Sequence, residues 1–97
     1  MAQFDVHRLG QGLVLDCQSD LLAQMDSRFV VPLVPRAEAP RIAPRLNPVF
    51  AIDGDDYVML TQAAGAVRSR QLGAAVTSFA DRSFEITGAF DVLMSGV

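Results

Sequence analysis

Residues 48–60 read PVFAIDGDDYVML, two apolar runs separated by an Asp-Gly turn. Asp53-Gly54 is a strong turn signal, because both residue types adopt the backbone conformations that close a tight hairpin. The sequence therefore predicts a β-hairpin here, and a mainly β fold around it. Asp53, Asp55 and Asp56 lack the ligand spacing and the terminal Glu of a calcium loop, so we interpret them as a solvated turn.

Alternating apolar residues predict more strands on the N-terminal side of this hairpin. Phe4 and Val6 precede a Gly10-Gln11-Gly12 break, and the alternation then continues from 13 to 17, which predicts a second hairpin. The run FVVPLV at 29–34 predicts another strand, with Pro32 at an edge or a bulge.

Cys17 is the only cysteine. It excludes an internal disulfide, and we expect it to be a small buried residue on a strand.

The segments on either side of 48–60 differ in character. Pro35, Pro40, Pro44 and Pro48 recur within fourteen residues, so a long helix is excluded and an extended excursion is expected. Residues 67–72 are predicted to form a strand, although Arg68 and Arg70 make one of its faces polar.

The C-terminal segment has a helical period. Apolar residues recur at spacings of three and four, which predicts one face of an amphipathic helix: Ile86, Ala89, Phe90, Leu93 and Val97. Asp81 or Ser83 is the predicted N-cap, Gly88 weakens the helix, and Gly96 is expected to end it.

The length and the hydropathy predict one domain with a partner. The 97 residues are about the size of one packed domain, and the mean hydropathy of +0.28 indicates more apolar surface than one small core hides. We therefore expect a second burial event, such as a dimer.

Charge and residue content exclude several function classes. The net charge is −3 and every basic residue is Arg, which argues against direct nucleic-acid binding. No signal peptide or apolar membrane span is present, so a cytoplasmic protein is expected. His7 is the only histidine. With one His, one Cys and no nucleophile-elbow motif, no catalytic residue, metal ligand or cofactor is predicted.

Five segments together resemble one family of bacterial proteins. They are QFDV at 3–6, LDCQSDLL at 15–22, RFVVPL at 28–33, LNP at 46–48 and GV at 96–97. The combination resembles the CcdB toxins of toxin–antitoxin modules, over nearly the whole chain.

The resemblance implies a fold, an activity and partners. CcdB-like proteins are dimers with an SH3-like antiparallel barrel or sheet, a small accessory sheet and a C-terminal helix. They are inhibitors and not enzymes: they bind the A subunit of DNA gyrase and trap its cleaved-DNA complex. A CcdA-type antitoxin neutralises them through a segment that orders on binding, and the pair represses its own operon.

The resemblance also implies site residues. Gyrase binding maps to Ser95, Gly96 and Val97, with Leu21, Leu22 and Asp91 as neighbouring contributors. The family usually has Trp where this chain has Ser95. Loss of that indole removes a cation–π contact of about 0.5–2 kcal/mol, so one alternative is a weakly toxic or non-toxic homologue that keeps the fold, the dimer and antitoxin binding. Another is a ribonuclease toxin of the MazF type, which has a related fold.

Four arginines are candidate antitoxin contacts: Arg8, Arg36, Arg41 and Arg45. They lie in the loop that begins at residue 8 and in the excursion at 35–45, and their guanidinium groups suit an acidic partner segment. The alternative is that both are ordinary surface loops.

Overall fold

The computed structural model describes residues 1–96. These contain seven β-strands and one α-helix, with 3-10 turns between several of them. In chain order the elements are β1 (Asp5–Leu9), β2 (Gly12–Asp16), β3 (Ser27–Pro35), β4 (Val49–Ile52), β5 (Asp55–Met59), β6 (Gly65–Arg68), β7 (Ala75–Ser78) and α1 (Ser83–Ser95).

The strands form one antiparallel sheet that forks at β3. The main path runs β4-β5-β3-β2-β1-β7, and β6 pairs with β3 beside this path. The first half of β3 pairs with β6, from Ser27 opposite Arg68 to Val30 opposite Gly65. Its second half pairs with β5, beginning at Leu33 opposite Met59. The predicted mainly β fold with a C-terminal helix is confirmed, and β3 is the strand that joins its two arms.

Both predicted hairpins are present. In the β4–β5 turn, Asp53 has φ +51° and Gly54 φ +84°, so the Asp-Gly pair adopts the left-handed conformations that a two-residue turn requires. Gly10, in the β1–β2 turn, has φ +58°. The strand predicted at 29–34 lies within β3, and residues 39–48 contain no strand or helix, as the prolines predict.

The core lies between the inner face of the curled sheet and one face of α1. Ile86 and Ala89 of the helix are fully buried against it, and the rings of Phe50 and Phe79 stack with centroids 4.5 Å apart. The buried apolar cluster comprises Phe4, Val6, Leu15, Val31, Leu33, Phe50, Ile52, Met59, Phe79, Ile86 and Ala89. Within residues 1–96, no helix has the length and apolarity needed to cross a membrane.

Two strand predictions in the C-terminal half need correction. The strand predicted at 67–72 is shifted: β6 ends at Arg68, and the 3-10 turn Ser69–Gln71 follows. The Ser69 N–H donates to the Asp26 carbonyl, which ends the pairing with β3. Strand β7 was not predicted, because its four residues AVTS are too few to show an apolar alternation, and in the structure only Val76 packs partly against the core.

The predicted helix caps are wrong. Neither Asp81 nor Ser83 caps α1, because the 3-10 turn Ala80–Arg82 leads directly into the helix and places Arg82 at the N-cap position. Gly96 does end the helix, with φ +75°, as predicted. Of the residues predicted on the apolar side of the helix, Leu93 is partly exposed, and Val97 lies outside the described residues.

His7 and Cys17, the only histidine and the only cysteine of the sequence, are both packed within the fold. His7 is a buried residue of β1, and its Nδ1 lies 3.0 Å from the Gly73 carbonyl oxygen. Cys17 follows β2 directly instead of lying on it, and is half-buried against the core. Burial, with a contribution from the neighbouring Asp16 carboxylate, raises the pKa of the Cys17 thiol to about 12.

Candidate interaction site

The C-terminal end of α1 is an exposed apolar surface. Met94 is 84% exposed, and Asp91, Ser95 and Gly96 are exposed beside it. The Gly96 N–H donates to the Val92 carbonyl and closes the last helical turn. The Ser95 hydroxyl donates to the Asp91 carbonyl at 2.7 Å, so this side chain is held against its own helix. The predicted contact Val97 lies outside the described residues.

The other predicted contacts lie on the 3-10 turn Asp20–Leu22. Leu21 is 95% exposed, and Leu22 is half-exposed. The turn is shaped by its own polar residues: the Ser19 hydroxyl oxygen accepts from the Leu21 N–H, and a carboxylate oxygen of Asp20 accepts from the Gln3 N–H. The two leucines are thus held in solvent by local hydrogen bonds, in a position where burial would be favourable.

A buried amide connects this turn to β3. The Gln18 side chain donates through Nε2 to the Leu22 carbonyl and accepts at Oε1 from the Phe29 N–H, each at 2.9 Å. The ring of Phe29 lies 5.5 Å from that of Phe90 in α1. The first half of β3 is therefore linked to the 3-10 turn through Gln18 and to the C-terminal half of the helix through the Phe29–Phe90 contact.

A buried ion pair lies beneath this connection. Arg28 and Asp16 are 1% and 0% exposed, and the Arg28 Nε donates to Asp16 Oδ2 at 2.9 Å while Nη2 lies 2.6 Å from the same oxygen. The other carboxylate oxygen accepts from the Gln18 N–H. Asp16 thus supplies the counter-charge that the buried guanidinium requires and also accepts from Gln18, which positions the leucine turn, although among the described residues the buried Nη2 of Arg28 forms no hydrogen bond of its own.

The resulting surface is suited to contact with a protein. Six partly or fully exposed apolar side chains lie on the 3-10 turn, on the segment entering β3 and on the helix end: Leu21, Leu22, Met25, Phe29, Leu93 and Met94. We call this set the apolar face. Exposed apolar side chains in such numbers mark interaction sites on a chain of this size. In residues 1–96, no three His, Cys, Asp or Glu side chains are grouped closely enough to hold a metal ion.

Comparison with known families gives a clear result. A family model described as CcdB protein matches residues 3–96. The chain belongs to the CcdB family. Membership supports a toxin of the CcdB type and partnership within a toxin–antitoxin module. A comparison with individual curated proteins found no match.

The four candidate antitoxin arginines of this CcdB protein are exposed but not gathered in one place. Arg8 lines a groove with Glu38 and Tyr57, and Arg36 lies on the adjoining depression that shares Tyr57. Arg45 lines a different groove, beside α1. Arg41 is exposed outside these depressions. The structure thus brings Arg8 and Arg36 near one another and separates them from Arg45.

The residues that hold the 3-10 turn in place were not predicted from the sequence. Asp16, Gln18 and Arg28 lie in segments that carry the family resemblance, but the sequence predicts no role for them. A signal was available, because Arg28 directly precedes a long apolar run and Asp16 ends another. A charged residue at the end of a buried strand is either exposed or paired with an opposite charge, and Arg28 and Asp16 carry opposite charges.

Proposed function

We propose that this chain is a toxin that binds the A subunit of DNA gyrase and traps the cleaved-DNA complex. The observation that carries the proposal is the apolar face of a CcdB-family chain, on which Leu21 is 95% exposed and Leu22 half-exposed. Gly96 and the exposed Asp91, at the end of α1, are the proposed gyrase contacts on the helix. The chain acts as a binding protein and not as an enzyme, as a homodimer, in the cytoplasm where gyrase is found.

Ser95 favours a weakened form of the same activity. Its hydroxyl is bonded to the Asp91 carbonyl, and it offers no aromatic ring to a partner's guanidinium. An aromatic anchor in an interface is typically worth more than about 2 kcal/mol, which corresponds to more than tenfold in affinity. A homologue that keeps antitoxin binding with little toxicity is therefore the second candidate.

A substitution at position 95 tests both candidates. Ser95→Trp should lower the concentration needed to stabilise cleaved DNA with purified gyrase by at least about tenfold, because the indole restores an anchor. Induced expression should reduce viability in parallel. Gln11→Trp, in the exposed β1–β2 turn, is the matched control and should change neither measurement.

Three outcomes are decisive for this proposal. If gyrase responds to the unchanged chain and to Ser95→Trp at the same concentration, the weakened candidate is wrong. If Ser95→Trp acts at a concentration at least about tenfold lower, or if it alone acts, the weakened candidate holds. If neither chain affects gyrase, binding to gyrase is wrong. Incubation with a mixed RNA substrate tests the MazF-like alternative, which an intact RNA pool removes.

The remaining partner is a CcdA-like antitoxin. We infer that an acidic segment of it contacts the exposed arginines Arg8, Arg36, Arg41 and Arg45, since guanidinium groups pair with carboxylates in a bidentate manner. Repression of the shared operon would then occur through the antitoxin, because the toxin itself carries a net charge of −3. Co-purification with the product of the neighbouring gene tests this partnership.

A further inference from the structure

A groove separate from the apolar face runs between residues 44–48 and the first turns of α1. It is lined by Pro44, Arg45, Pro48, Phe84, Glu85 and Gly88, and we call it the Phe84 groove. Phe84 is 92% exposed, whereas the other phenylalanine of the helix, Phe90, packs on Phe29. An aromatic ring left in water at one wall of a groove has most of its apolar surface still to bury.

The groove has free space next to this ring. Gly88 follows Phe84 by one helical turn, so the two positions share a face of α1. A Cβ atom placed on Gly88 would meet no atom within 4 Å. The absence of a side chain at Gly88 therefore leaves the space open, and the rings of Pro44 and Pro48 contribute rigid walls that carry no side-chain polar group.

The charge at the rim is positive. Glu85 is engaged by Arg82, whose Nε and Nη2 each donate to a carboxylate oxygen at 2.7 Å. Arg45 is exposed, and within residues 1–96 it forms no ion pair. The surrounding segment 36–45 holds three Arg and one Glu in a chain of net charge −3. The groove is therefore a local basic site on an acidic protein.

We infer that the Phe84 groove binds an apolar side chain from an acidic peptide segment, with a neighbouring carboxylate of that segment on Arg45. Phe84 and the open position at Gly88 hold the apolar side chain, and Arg45 sets the preference for acidic flanking residues. The inference rests on the proposed function in one respect, because the acidic segment of an antitoxin is the expected source of the peptide. It assigns that segment a second contact, distinct from the groove beside Arg8 and Arg36.

Two synthetic peptides and the full 15N-labelled chain test this inference by NMR. One peptide carries a central Leu between Asp and Glu residues, and the other has Gly in place of the Leu. The first should shift the amide signals of Arg45, Phe84 and Gly88, and the second should bind more weakly by at least about tenfold, the effect of losing one buried apolar anchor.

Matched variants locate the binding. Gly88→Leu fills the groove and Arg45→Glu reverses its charge, so each should weaken binding at least about tenfold. Gly88→Ala leaves room beside Phe84, and Arg70→Glu reverses an exposed charge elsewhere, so both should retain binding. Urea midpoints at or above that of the unchanged chain show that the variants fold.

The inference is overturned if neither peptide shifts these signals, or if Gly88→Leu and Arg45→Glu bind as tightly as the unchanged chain. Gyrase assays on the same samples separate this result from the proposed function. A chain that binds the peptide without affecting gyrase refutes only the proposed function, and a chain that affects gyrase without binding the peptide refutes only the groove.

Discussion

The Asp16–Arg28 pair sets the largest predicted effect of a single side chain on stability. Asp16→Asn leaves the guanidinium buried without a counter-charge, because Arg28 is only 1% exposed. We expect the free energy of unfolding to fall by about 3–5 kcal/mol, the usual cost of removing one partner of a buried pair. Urea titration followed by circular dichroism measures this change.

Two further variants control that experiment. Asp91→Asn removes an exposed carboxylate and should change stability by less than about 0.5 kcal/mol. Asp16→Leu combined with Arg28→Met removes both charges, and should be less destabilising than Asp16→Leu alone. A loss below about 1 kcal/mol for Asp16→Asn would contradict the assigned role of the pair.

Cys17 should be an unreactive thiol. Its pKa, raised from 9.0 to about 12, leaves roughly a thousandth of the thiolate present at an unperturbed cysteine, and the thiolate is the reacting species. In the folded chain, reaction with Ellman's reagent at about pH 8 should be slower than in urea by a similar factor. Equal rates in the two solvents would show that the thiol is not perturbed.

At the same scale, the sequence offers candidate contact residues but not the residues that hold them in place. Leu21, Leu22 and Asp91 are predicted through the resemblance as contributors to gyrase binding; the structure exposes all three side chains, and their role in gyrase binding stays a prediction. Gln18 was not predicted as a positioning residue, because its role depends on the spatial approach of Leu22 and Phe29. Partners of that kind are distant along the chain and leave no local pattern.

At the scale of elements, one residue of α1 can be replaced to make the helix more stable. Gly88 lies in the interior of the helix, and a Cβ atom there would meet nothing within 4 Å. Gly88→Ala should therefore raise the free energy of unfolding by about 0.5–1 kcal/mol. Gly96→Ala is the contrasting variant. Because Gly96 has φ +75°, an alanine there is strained and should destabilise the chain. Stabilisation by both would refute this account.

The start of the helix should respond to pH. The hydrogen bond from Arg82 lowers the pKa of the Glu85 carboxyl below its usual value of 4.5. A carboxyl whose pKa is lower in the folded chain than in the unfolded chain stabilises the fold at pH values above its unfolded-state pKa. This stabilisation is lost as the pH falls through the folded-state pKa. Glu85→Gln should thus cost roughly 0.2–1 kcal/mol at neutral pH, the range for an exposed pair.

The pH dependence of that cost is the check. The difference between Glu85→Gln and the unchanged chain should shrink in urea titrations below about pH 4. Glu38→Gln is the control, because Glu38 is exposed and forms no ion pair within the described residues. A cost independent of pH would mean that charge is not the cause.

The elements in which apolar residues recur at the spacing of a strand or a helix could be predicted from the sequence, and the other elements could not. The hairpins and α1 have alternating or helical patterns and are confirmed. β7 has no buried residue, and it is held by backbone pairing with β1. The helix start was predicted from capping residues, but a 3-10 turn and the Arg82–Glu85 pair take that role.

At the scale of the whole molecule, the helix side chains of the apolar face, Leu93 and Met94, predict a dimer, and the leucines of the 3-10 turn are left for gyrase. The chain should sediment at twice its 10.5 kDa, and Met94→Glu should raise the dissociation constant at least about tenfold by placing a charge in the interface. Phe84→Glu changes an equally exposed residue at the other end of α1 and should leave the dimer intact. A monomer at micromolar concentration would contradict this prediction.

The pairing of β1 with β7 has a consequence for how the protein is made. Asp5 lies opposite Ser78, so the sheet cannot be completed until most of the chain exists. Ribosomes add roughly 5–20 residues per second, and sheets with such distant pairings fold in about milliseconds to seconds. The apolar face needs both the turn Asp20–Leu22 and the end of α1. It therefore forms only after the residues of α1 have been synthesised, and a shorter nascent chain has no complete surface with which to act.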